Sequence, residues 1–157
     1  MMTFLLTFLL GCVDGLRSLT PPALVCWAAH FGWLHFDGTR LAFLHHRSTL
    51  IVFTALAVAE LIADKLPKTP ARTAPLGLIA RLVLGGACGL AIATSAGVSV
   101  FFSAMLASIG ALTGAFVGYY SRHFIVSKVH VPDFAVAAAE DVIAISGGLL
   151  ILWHVAQ

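Results

Sequence analysis

Glu60 and Asp64, four residues apart, Arg81, and the adjacent pair Glu140 and Asp141 all lie within otherwise apolar sequence. An ionisable group deep in a bilayer costs about 2.5–3.5 kcal/mol or more, so such groups face one another, a cavity or a pathway. At the helical rise, Glu60 falls about 7 Å before Lys65, Arg81 about 9 Å beyond Pro75, and the Glu140–Asp141 pair about 12–14 Å beyond Pro132. Asp64 follows Glu60 by one turn on the same face. Three segments therefore bring carboxylates and a guanidinium to one layer, and Arg17 and Arg122 are placed to close it from their helix ends. Four carboxylates outnumber the one arginine well inside the apolar sequence. Adjacent like charges cannot all stay ionised in a low dielectric, so at least one carboxyl is expected to hold a proton. Two chemistries fit. One is a hydrated site for a cation, proton or polar solute, with Arg81 as gate or counter-charge. The other is a structural cluster in which Arg81 neutralises Glu60 or Glu140. The proton-relay composition favours the first.

Other constellations carry less. His30, His35, His45 and His46 cluster near Asp37, but their spacings match no metal-ligand motif, so no metal site is predicted. The three cysteines, Cys12, Cys26 and Cys88, sit in apolar stretches without CxxC spacing and read as small core residues. No GxSxG, HExxH, P-loop or dinucleotide fingerprint occurs. The expectation is a non-enzyme without a cofactor.

The elements that position these charges follow from composition. The chain has 157 residues, 60% hydrophobic and 10% charged, with nine Lys and Arg and seven Asp and Glu. Its mean hydropathy is +0.99. A water-soluble domain is about 25% charged, so an ordinary soluble domain, a disordered chain and a nucleic-acid binder are all excluded. The expected class is an all-α, polytopic membrane bundle in a single domain over residues 1–157. Apolar segments run from about Thr3 to Gly15, Pro22 to Phe36, Thr49 to Asp64, Leu76 to Thr94, Val98 to Arg122 and Pro132 to Val155. A span needs about 20 apolar residues. The last three segments qualify and the third is just long enough, giving about four full spans. The first two are each too short to span and together too long for one. They predict a broken or re-entrant helical hairpin turning at Arg17 to Pro22, with Asp14 at its edge. Leu9-Leu10-Gly11-Cys12 resembles a lipoprotein cleavage box, but no Lys or Arg precedes Arg17, so a retained first membrane segment is expected.

Basic residues set the orientation. The 65–75 and 121–131 loops carry Lys65, Lys68, Arg72, Arg122 and Lys128, and are predicted to be cytoplasmic with the C-terminus outside. Gly110, Gly114 and Gly118 recur every fourth residue, a face that allows close helix crossing within or between subunits. On that basis a homodimer is expected. Ala55 to Glu60 resembles Ala135 to Glu140, and each follows a Gly-rich segment ending in Arg17 or Arg122, which suggests an inverted repeat.

Gly15-Leu-Arg-Ser-Leu-Thr-Pro-Pro22, Glu60-Leu-Ile-Ala-Asp-Lys-Leu-Pro67 and the Gly110 to Tyr120 segment resemble a family of small bacterial inner-membrane proteins catalogued as a domain of unknown function. That resemblance covers most of the chain and implies a single-domain membrane protein without implying an activity. Gly-x-x-x-Gly-Tyr-Tyr-Ser-Arg122 is loosely similar to lipid-carrier scramblases, whose paired proline-arginine motif is missing here. The function expected is a small transporter or channel for a cation or polar solute, with proton coupling, among membrane lipids. The alternative is a non-transporting membrane protein that binds anionic lipid head groups or a partner helix through its basic loops.

Overall fold

The computed structural model describes residues 1–65 and 74–157. Pro67, Lys68 and Arg72 therefore lie outside the described residues. Among the described residues six α-helices follow in order: α1 (Met2–Leu16), α2 (Thr20–His30), α3 (Arg47–Ala63), α4 (Pro75–Ala96), α5 (Val100–Phe124) and α6 (Asp133–Val155). No strand occurs among the described residues.

Local chemistry explains the boundaries. Arg17 is extended, at φ −142° and ψ 104°, and ends α1. Pro21 and Pro22 then fall in the first turn of α2, where a missing N–H removes no intrahelical bond. Gly97 closes α4 at φ +64°, in the left-handed conformation that glycine adopts without Cβ strain. A π-turn over Ile125–Val129 prolongs α5.

Helices Pro75–Ala96, Val100–Val129 and Asp133–Val155 are long and apolar enough to cross a membrane. At 17 residues, α3 reaches roughly 26 Å. Ile51, Ile62, Leu76, Val83, Phe101, Val117, Val142 and Leu150 all point outward and are exposed. Large apolar patches of this kind are foreign to a water-facing surface and suited to lipid.

α1 packs along α5 and α4, whereas α2 packs against α3, α6 and α4. α1 and α5 run in the same direction: Phe4 meets Phe102 with ring centroids 5.1 Å apart, and further along Gly11 faces Ala107 and Gly15 faces Ala111. A Cβ on Gly110 would strike the Phe8 carbonyl, and one on Gly114 the Cys12 carbonyl. Gly118, one turn on, is buried. Gly110 and Gly114, on which the expectation of a dimer rested, thus make a crossing inside the chain.

α2 turns back from the end of α1. Its start lies by Glu60, Leu24 lies by Gly148, Trp27 bonds Thr54, and Trp33 beyond its end meets Trp153. α1 and α2 are therefore a hairpin whose two outer ends share one end of the bundle. The same contacts make α3 and α6 run oppositely, as an inverted repeat would have them. α1 and α5, its other pair, run parallel.

Candidate functional site

The hairpin turn lies inside the bundle, and of the charges predicted from the sequence Glu60, Asp64, Arg81 and Asp141 converge on it. Arg17, 0% exposed, is the hub. Its Nε donates to Asp141 Oδ1 at 2.7 Å, Nη2 lies 2.5 Å from the same oxygen, and Nη1 pairs with Asp64 Oδ2. The other Asp141 oxygen takes Lys65 Nζ at 2.9 Å. Two carboxylates from α3 and α6 thereby share one guanidinium, with Lys65 adding a second cation to Asp141.

Glu60 serves the other arm of the turn. Its Oε1 accepts from the Ser18 backbone N–H at 2.8 Å and the Ser18 hydroxyl at 2.6 Å, and its Oε2 accepts from the Leu19 N–H at 2.8 Å. These amides precede α2, where a helix start leaves donors open and favours negative charge. Arg81 serves the end of α1, its Nε donating to the Gly15 carbonyl at 3.1 Å and its Nη1 to the Gly77 carbonyl at 3.1 Å. Irregular backbone within a bilayer must have its polar groups met by protein. Here Glu60 of α3 and Arg81 of α4 meet them, and Asp141 of α6 meets the Arg17 side chain instead.

Arg122, near the end of α5, grips Asp133 through both carboxylate oxygens at 2.8 and 2.7 Å and lies 3.5 Å from Glu140 Oε2. The structural reading of the sequence had Arg81 neutralise Glu60 or Glu140. Among the described residues Arg122 places a guanidinium at Glu140, and Glu60 faces helix-start amides. Arg17, assigned from sequence to the margin, is central because the chain breaks there and turns its side chain inward.

The motif resemblances meet in space. Gly15, Arg17, Ser18 and Leu19 of one segment bond to Glu60, Asp64 and Arg81, and Arg17 reaches Asp141. A family model matches residues 4–155, nearly the whole chain. The chain belongs to the family described as a domain of unknown function, DUF4126. No curated protein and no solved structure matches it.

In this DUF4126 chain the histidines take a separate place. His30, His35, Asp37 and His45 line a cavity of about 240 Å³ at the opposite end of the bundle from Lys65. Among the described residues no three His, Cys, Asp or Glu side chains come together to hold a metal ion.

Asp14 was visible in sequence only as an acid at the edge of the breaker. It is 0% exposed, one turn before Arg17, and lies between α1 and α4. A Cβ on Gly85 would sit 3.3 Å from its Oδ2 and 2.9 Å from Ala111 Cβ. The available signal was its spacing: it follows Gly11 by three residues and precedes Gly15 by one, so it shares the stretch where small residues draw helices together.

Proposed function

We propose that the protein is a small transporter or channel for a cation or polar solute, coupled to protons, in the bacterial inner membrane. In this reading α3 to α6 are four spans, and α1–α2 is a re-entrant hairpin entering from the outer face. Lys65, Arg122 and Lys128 mark the cytoplasmic end, with the C-terminus outside. The observation that carries the reading is the interior helix break, with Arg17, Glu60, Arg81 and Asp141 gathered on it. Discontinuous helices with charged groups at their broken ends are the common architecture of secondary-transporter sites.

One observation favours a second reading, a non-transporting protein that binds anionic lipid head groups or a partner helix. Glu60, Asp64, Glu140 and Asp141 all have donors or cations against them. A structural tether needs such pairing.

Flux in proteoliposomes, screened over small cations and polar solutes at two pH values, separates the readings when paired with thermal stability in detergent. Transport predicts that Glu140→Gln abolishes or uncouples flux in a folded protein. A tether predicts a stability loss recovered by adding Arg122→Met, with no flux in any variant.

A further inference from the structure

Among the described residues, Asp14 is the one charge-bearing side chain near the hairpin whose bonding the ion network does not explain. Both of its carboxylate oxygens are buried without a hydrogen-bond donor. Around it α1, α4 and α5 come together through Gly15, Gly85 and Ala111, residues with little or no side chain. The charged groups that act on it are Glu60 from α3 and Arg81 from α4, of opposite sign, and the Cys88 thiol of α4 is within electrostatic reach. Arg17, next along the chain, is already held by Asp64 and Asp141.

A buried carboxylate without donors is among the costliest groups a protein can hold, whereas a neutral carboxyl costs far less. A metal cation at this place would need several oxygens to replace its water shell, and Gly85 and Ala111 offer no side-chain oxygen. A proton needs only the carboxyl itself. We infer that Asp14 is an exchangeable proton-binding site in the bundle interior. Proton release leaves a carboxylate facing Arg81, the guanidinium that in this conformation donates to the Gly15 carbonyl at 3.1 Å. Recruiting Arg81 to Asp14 would free that carbonyl and loosen the end of α1, which links protonation to the hairpin. The binding of the proton stands on Asp14 itself; its role in coupling rests on the transport reading.

Infrared spectroscopy of the full-length protein tests the proton directly. At neutral pH the wild type should show the carbonyl stretch of a protonated, weakly hydrogen-bonded carboxyl. The band should vanish reversibly as pH rises and be absent from Asp14→Asn, which stays folded because Asn matches the neutral carboxyl in shape. Reaction of the wild type with an apolar carbodiimide, mapped by mass spectrometry, gives a second readout that needs no variant. Asp14 should be labelled, and labelling should fall as pH rises. Absence of both the band and the label overturns the inference, as does a band that Asp14→Asn leaves intact. Band and label without flux in any protein would retain the site and defeat transport. Flux with unchanged pH dependence in folded Asp14→Asn would retain transport and overturn the coupling role.

Discussion

Arg17 and Asp141, 124 residues apart in the chain, are joined by a 2.7 Å bond from Nε to Oδ1. That bond fastens the hairpin turn to α6, and Asp64 holds the same guanidinium to α3. Removing one partner of a buried ion pair typically costs about 3–5 kcal/mol, because the other is left uncompensated. Arg17→Met should therefore lower stability by about that amount. Adding Asp141→Leu should recover part of the loss. Melting in detergent is the measurement, and a melting temperature unchanged by Arg17→Met would remove Arg17 from its central place.

Glu60 acts on α2 from another helix. Glu60→Ala removes the acceptor of three donors at Ser18 and Leu19. The loss should be at least the ~0.5–2 kcal/mol of a helix N-cap. Glu60→Gln retains acceptor capacity at one oxygen and should lose less. Equal losses for the two variants would show that hydrogen-bonding capacity at this position is not what matters.

Gly114 should be intolerant of any side chain, because the obstruction is the Cys12 backbone and not a movable side chain. Overpacking a core costs typically about 1–3 kcal/mol, and Gly114→Leu should reach or exceed the upper figure by separating α1 from α5. Its signature is a lower melting temperature of the protomer. A variant that melts normally and only elutes later would return this face to intersubunit contact.

Orientation can be read chemically. In a background with Cys12, Cys26 and Cys88 replaced, Arg40→Cys and Gln157→Cys should react with an impermeant thiol reagent added outside cells. Lys128→Cys should react only after the membrane is opened. The reverse pattern would invert the hairpin and place its turn nearer the outer face.

Hydropathy and small-residue spacing determined much of this protein. Alternation of apolar stretches with Gly and Pro punctuation located all six helices, and the break at Arg17 to Pro22 is visible from the two prolines alone. These are local properties: helix length, φ preference and the cost of exposed backbone in lipid act over a few residues. Even the layer of Glu60, Arg81, Glu140 and Asp141 follows from counting rise along each helix. What counting could not decide is who meets whom. Depth places a charge at a level and leaves its rotation about the bundle free. Only the packing of the helices on one another turned Arg17 toward Asp64 and Asp141, gave Glu140 to Arg122, and brought Gly110 and Gly114 against α1. The same packing buried Asp14 against Gly85. A pairing of this kind depends on the relative rotation of helices far apart in the chain, a tertiary quantity on which no short segment carries enough energy to decide alone.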